Sequence, residues 1–272
     1  MNEKLYVLGT GNAQALNCYN TCFAFGCGEE ADREYLLVDA GGGNGILRVL
    51  RDAGIPLARV RRMIVTHEHT DHVLGVVWVV RMIATAMLAG KYEGEFPIYA
   101  HEELCEIIRT LCRLTLQKKH FALVGGRIPL IPVADGETRG LGPYTVRFFD
   151  IRSTKAKQFG FATTLRNGRR LCCLGDEPYN PACREYAEGA DWLLSEAFCL
   201  YADREIFKPY EKNHSTVRDA AELGRELGAA RLVLWHTEDS GLDTRKARYT
   251  AEAAEVFDGG IFVPDDGDVI EL

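Results

Sequence analysis

Between Met63 and Gly75 the chain reads MIVTHEHTDHVLG, and this stretch limits the folds open to it. A β-branched apolar run, RRMIVTH, reads as a strand, and His67, His69, Asp71 and His72 follow within six positions. A strand end holds side chains rigidly, and the loop residues beyond it can fan round one point. Three imidazoles and a carboxylate this close together are poor packing material, because each buried polar group needs a partner. They are the donor types that a borderline metal such as zinc accepts. The apolar run Val73 to Leu88 comes next, contains Arg81, and falls short of the roughly 20 residues of a bilayer span. It is expected to form a buried helix.

The rest of the chain alternates the same two kinds of element. KLYVLG, NTCFAFG and EYLLVDAG are short apolar runs ending in glycine turns, and GILRVLRDAG is an amphipathic helix closed by Gly54. FPIYA reads as a strand and Glu102 to Leu116 as a helix. In the second half YTVRFFDI is a strand, and GFATTLRNGRRLCCLGD is a hairpin with Asn167-Gly168 as its two-residue turn. A short helix over Pro181 to Glu188, the strand DWLLSEA, the helix STVRDAAELGRELGA, the strand RLVLWH and the helix RKARYTAEAAEVF complete the order. No repeat, low-complexity tract or linker interrupts it, so residues 1–272 are read as one layered α/β domain. With 47% apolar residues the chain can bury a sizeable core.

A net charge of −7 argues against a general nucleic-acid coat or a protein of anionic membrane surfaces. The basic pairs Arg61-Arg62, Lys118-Lys119 and Arg169-Arg170 read as solvated faces. Nine cysteines with no CxxC pair point to reduced, mostly buried thiols. Cys18, Cys22 and Cys27 are too loosely spaced to make a convincing zinc site. MNEKLYVLGTG enters a strand at once, without the regions of a secretory signal, so a cytoplasmic location is expected and no membrane partner. GTGNAQ is glycine-rich but lacks GxGxxG and a following helix, which makes a phosphate cradle a weak reading.

THEHTDH resembles the HxHxDH signature of the metallo-β-lactamase superfamily, and the resemblance covers nearly the whole chain. LGTGNAQ, YNTCFAF and LLVDAGGG resemble the opening strands of the ribonuclease Z-like branch; CLGDEP, ADWLLSEAF, KNHSTV and RLVLWHTE resemble its later motifs. The resemblance implies an α/β fold, the four-layer αββα metallo-β-lactamase sandwich. It also implies that His67 and His69 bind a first metal and that Asp71, His72 and His236 bind a second, with Asp176 bridging the two. Asp176 and His236 each end an apolar strand, where either alone would read as the start of a loop. Zinc is the expected metal, as one or two ions, with manganese or iron as alternatives.

One departure stands out. The family places a third His for the first metal just before GFAT; here the segment reads RSTKAKQFG, with Ser153 or Thr154 in that place. A hydroxyl is a poor zinc ligand beside imidazole. The first site then keeps two His and a shared carboxylate, unless the distant His101 or His120 stands in. Glu196 and His214 match a Glu–His pair that, in the branch resembled, relays a proton to the leaving oxygen. A carboxylate fixes an imidazole's tautomer and lets it act as an acid near neutral pH. His214 also reads as the flank of a helix start with Ser215 or Thr216 at the N-cap. Asp39 is expected to tie the glycine turn after it and to buttress a ligand His.

A metal with an open position brings the pKa of water towards 7, and Asp71 would orient or deprotonate that water. The expected protein is a metal-dependent hydrolase, a phosphodiesterase acting on a small phosphodiester or nucleotide. Ser153 to Asp176 has room for one tight hairpin and not for the arm with which ribonuclease Z enzymes grip tRNA. The acidic balance also disfavours RNA, whose binding rests on neutralising phosphates. Three alternatives stay open: a tRNA 3′-end endoribonuclease, a lactone, thioester or sulfate-ester hydrolase on the same fold, and a degenerate binding protein. The resemblance also implies a homodimer.

Overall fold

The computed structural model describes residues 3–272 and gathers the apolar runs into two seven-stranded sheets. Its contacts divide the chain into two compact units. One comprises Met1–Gly9, Tyr19–Ala134 and Asp266–Leu272, the other Thr10–Cys18 and Asp135–Asp265.

In the first unit the strands are β1 (Lys4–Gly9), β2 (Cys22–Cys27), β3 (Glu34–Val38), β4 (Val60–Ile64), β5 (Ile98–Ala100) and β6 (Leu130–Pro132), with β14 (Val269–Glu271) pairing on β1. Spatial order is β14-β1-β2-β3-β4-β5-β6; the pairings from β14 to β3 are antiparallel and those from β3 to β6 parallel. Unbroken apolar runs such as CFAFGC, buried at all six positions, suit such enclosed strands better than an alternating pattern would. Helix α1 (Gly45–Asp52) buries Ile46 and Leu50. It stops where Gly54 turns left-handed at φ +68° and Ile55 N–H bonds back to Leu50 O at 2.9 Å. Helices α2 (Thr70–Leu88), α3 (Glu102–Thr115) and α4 (Lys118–Phe121) follow.

The expected buried helix is α2, with one amendment. At 19 residues it is long and apolar enough to cross a membrane by length and composition alone. Val76, Val80, Ile83 and Met87 pack into the core of this unit, while Leu74, Trp78 and Met82, one turn apart, remain exposed. Its first turn is wedged against the loop after β3. Gly75 N–H donates to Gly41 O at 2.8 Å, and Ala40 N–H donates to His72 O at 3.1 Å.

The second unit holds β7 (Thr138–Leu141), β8 (Tyr144–Asp150), β9 (Phe159–Thr164), β10 (Arg170–Cys173), β11 (Trp192–Glu196), β12 (Arg231–Trp235) and β13 (Gly260–Phe262), adjacent in space in chain order. Its helices are α5 (Arg184–Ala187), α6 (Arg204–Phe207), α7 (Val217–Glu226) and α8 (Leu242–Ala254). Pairings from β7 to β10 are antiparallel and those from β10 to β13 parallel, the same progression as in the first unit. The β9–β10 turn differs from the expected two-residue type. Leu165 N–H bonds Arg169 O at 2.8 Å and Gly168 N–H bonds Leu165 O at 2.9 Å, so three residues form the loop. Gly168, at φ +85°, takes its left-handed position.

The repeated topology puts polar residues at matching strand exits. Asp39 follows β3, His67 lies beyond β4 and His101 follows β5; Asp176 lies beyond β10, Glu196 ends β11 and His236 follows β12. Carboxyl ends of parallel strands are where α/β folds place ligands.

A Cβ added at Gly75 would stand 1.8 Å from the carbonyl oxygen of Ala40. Gly75→Ala is therefore expected to destabilise the protein by about 3 kcal/mol, the cost of overpacking against backbone. Thermal unfolding measures it, and an unchanged midpoint would show that α2 is not seated on this loop.

Candidate metal centre and proton relay

The first unit orients its histidines through one carboxylate. Asp39 sits at φ +55° and is buried. It accepts from Thr66 N–H at 2.8 Å (Oδ1) and from the Thr66 hydroxyl at 2.7 Å (Oδ2), and its Oδ2 meets His72 Nδ1 at 2.8 Å. An ionised carboxylate only accepts, so His72 carries its proton on Nδ1 and its lone pair on Nε2. The Thr66 hydroxyl has spent its hydrogen on Asp39, so at 2.9 Å it accepts from His67 Nδ1. His67 too therefore turns a lone pair out on Nε2. That nitrogen lies 2.8 Å from His69 Nδ1, and His72 Nε2 lies 3.3 Å from Asp71 Oδ2. Clustered lone pairs and a carboxylate oxygen are what a cation requires. Asp39 thus buttresses a histidine as expected, but its carboxylate binds Thr66 and His72 rather than the glycine turn.

The second unit brings Asp176, His236, Glu196 and His214 together. Asp176 Oδ2 is 3.6 Å from His236 Nε2. His236 leaves β12 at φ +58°, a costly conformation for a residue with a Cβ. The next residue is firmly held: Thr237 N–H bonds Thr10 O at 2.9 Å, and Thr237 O accepts from Asn12 N–H at 3.0 Å and from Asn12 Nδ2 at 2.8 Å. The buried Arg245 adds bonds to the Thr237 and Thr10 hydroxyls at 2.8 and 3.1 Å. The GTGNAQ loop is thus a buttress for the His236 turn.

Glu196 is buried, and desolvation pushes its carboxyl above the ordinary range, opposed by His214 and by the Ser215 N–H. Its Oε2 lies 3.4 Å from His214 Nδ1, and Ser215 N–H donates to Oε1 at 2.5 Å. Phe198 stacks on the His214 ring at 4.9 Å and 7°, and the His236 ring is 5.3 Å away. Thr216, not Ser215, caps α7, in a capping box with Asp219. His214 opens on a cleft of about 590 Å³ lined by Tyr179, Tyr210, Arg225 and the carboxylates of Asp219, Glu222 and Glu226.

The place of the missing histidine is taken by a hydrogen-bond knot. Ser153 Oγ donates to Glu177 Oε1 at 2.8 Å; Asn213 Nδ2 donates to Glu177 Oε2 at 2.7 Å and to Thr154 Oγ1 at 3.3 Å. Both hydroxyls are engaged by this knot. His101 caps α3 at Leu104 N–H, and His120 meets Thr85 Oγ1 at 3.3 Å, so each is employed elsewhere. No disulfide joins any of the nine cysteines, all of them described residues, and Cys22 and Cys27 stand at opposite ends of β2, too far apart for a shared site. Thr66, Gln158, Glu177 and Arg245 escaped the sequence reading. Thr66 and Glu177 adjoin motif residues and offered a hint; Gln158 and Arg245 gave no local signal.

A model described as the beta-lactamase superfamily domain matches residues 34–237. Ribonuclease Z of Myxococcus xanthus (strain DK1622) is 28% identical over 312 residues, covering 99% of this chain and 97% of the relative. That alignment is longer than the 272 residues here, so the relative carries insertions. Among solved structures, the metallo-β-lactamase fold protein YhfI from Bacillus subtilis has a TM-score of 0.80 at 23% identity, covering 100% of both chains. A diphosphatase from the PhnP family has a TM-score of 0.73 at 17% identity, covering 100% of this chain and 98% of the other. The fold expected from the sequence is thereby shown.

Asp39→Ala removes the acceptor that sets two imidazole tautomers. Metal affinity is expected to fall roughly tenfold to a hundredfold, as for other groups that orient ligands. Competition against a chelating indicator measures it; an unchanged affinity would refute the tautomer argument.

Proposed function

The chain belongs to the beta-lactamase superfamily domain family and is a metal-dependent hydrolase, and from that premise we propose that it cleaves a small phosphodiester or nucleotide. The donor set suits a metal, because Thr66 and Asp39 commit the Nδ1 sides of His67 and His72 to the protein. His67, His69, Asp71 and His72 would hold metal in the first unit, and Asp176 and His236 would hold it in the second. Zinc fits the imidazole-rich set, with manganese or iron as alternatives. When bound, the metal supplies a nucleophile from water near neutral pH and draws charge from the phosphoryl oxygen.

The protein groups do the rest. Asp71 orients the attacking water and accepts its proton. His214, held by Glu196 and flattened against Phe198, donates a proton to the leaving oxygen as the P–O bond breaks. The observation that carries this reading is His214, 3.4 Å from the buried Glu196 and on the wall of a cleft lined by three carboxylates and one arginine. A leaving alkoxide gains most from a proton donor, and such a lining suits a substrate of low charge better than a polyphosphate chain.

A tRNA 3′-end endonuclease is the second reading, favoured by the relative named ribonuclease Z. The two separate on one sample: elemental analysis for metal, then turnover of bis(p-nitrophenyl) phosphate, an alkyl nucleotide diester and a precursor tRNA. Diester turnover without tRNA cleavage supports the first reading; tRNA cleavage supports the second. Turnover of lactone, thioester or sulfate ester alone would sink both.

His72→Ala and Asp176→Ala are each expected to lose metal and activity together. His214→Ala should keep its metal and slow alkyl diesters by about a hundredfold or more, with far less effect on p-nitrophenyl diesters. Equal loss on both would reject the proton-donor role.

A further inference from the structure

Gln158 ends the segment that replaced the missing histidine, on the limb opposite Ser153. Its backbone carbonyl accepts from Ile151 N–H at 3.0 Å, which fixes it just before β9. The side chain is 1% exposed. Its Nε2 donates to Asp176 Oδ1 at 2.5 Å. Because the carboxylate can only accept, the NH₂ end must face Asp176, and this leaves the amide oxygen on the other side. That Oε1 is buried and has no hydrogen-bond partner. A buried carbonyl-type oxygen left alone costs about 1–3 kcal/mol, and such a group calls for an explanation, a bound ion being one.

The neighbouring backbone is shaped around this amide. Gly175, the residue before Asp176, is at φ +89°, and a Cβ there would lie 2.8 Å from Gln158 Nε2 and 3.1 Å from its Cδ. The chain therefore keeps a bare position so that the carboxamide can lie against the Asp176 turn. Ser153 and Thr154, the residues in the expected ligand place, are tied into the Glu177 and Asn213 knot instead.

We propose that Gln158 supplies the ligand that the lost histidine would have given, coordinating through Oε1 the ion that Asp176 holds while its NH₂ group fixes the Asp176 carboxylate. The inference rests on the metal-dependent reading of Asp176. An amide oxygen is a harder donor than imidazole, so this ion site is expected to favour manganese over zinc more than an all-histidine site does.

The test is metal binding by the full chain, stripped and then equilibrated with Mn²⁺ or Zn²⁺, read as stoichiometry and affinity by elemental analysis. Wild type is expected to hold two ions. Gln158→Leu should lose one, or bind it roughly tenfold to a hundredfold more weakly, with its thermal midpoint checked alongside. Gln158→His replaces the amide with an imidazole and should shift preference towards zinc. Unchanged stoichiometry and affinity in Gln158→Leu, or an unchanged metal preference in Gln158→His where the leucine variant does not fold, would overturn the proposal. Wild type with no metal after reconstitution would instead overturn the proposed function, and this inference with it.

Discussion

A buried carboxylate has to be surrounded by donors, and Asp39 shows what that demands of a chain. The donors are the Thr66 amide, the Thr66 hydroxyl and the His72 ring. They come from beyond the next parallel strand and from the first turn of α2, so one anion ties three segments together. Satisfying it sets the tautomer of His72 directly and that of His67 through Thr66. The close approach at Gly75 belongs to the same arrangement, since a larger residue would lift α2 and carry His72 away from Asp39.

The second unit reaches a comparable exit geometry by different means. Asp39, Asn213 and His236 all adopt positive φ without being glycine, which costs of order 1–3 kcal/mol each. Such positions persist where their surroundings over-determine them. For His236 the surroundings are Thr10, Asn12 and Arg245, contributed from far along the chain. For Asn213 they are Glu177 and Thr154, so the loop that lost its histidine now steadies the turn leading to His214.

What the sequence disclosed and what it hid follow one physical line. The enclosed strands announced themselves as apolar runs, and the HEHTDH cluster announced itself because its members are local. Four strands gave no sign: β6, β7, β13 and β14, which are the four edges of the two sheets. Each has only three or four residues and little burial, as short edge strands often do, so neither alternation nor an apolar run could develop. At the site, the residues matched by motif were named. Those whose role depends on long-range approach, such as Arg245 to Thr10 or Gln158 to Asp176, were invisible until the chain was folded. What the hydroxyl in the place of the missing histidine would do was hidden for a related reason: Glu177, buried one residue past Asp176, engages Ser153.

The same line bears on substrate size. A phosphate about 4 Å from a single carboxylate at a protein surface feels a repulsion of about 4 kcal/mol at an effective dielectric near 20, less when salt screens it. The cleft before His214 presents Asp219, Glu222 and Glu226, and Glu226 is itself engaged by Arg184 at 2.9 Å. Arg61 and Arg62, read from sequence as a solvated face, pair with Glu34. A diester carrying one charge at the cation escapes most of this repulsion, because its other substituent can be neutral. A chain of successive phosphates crossing the cleft would meet it repeatedly, with little basic surface there to offset it.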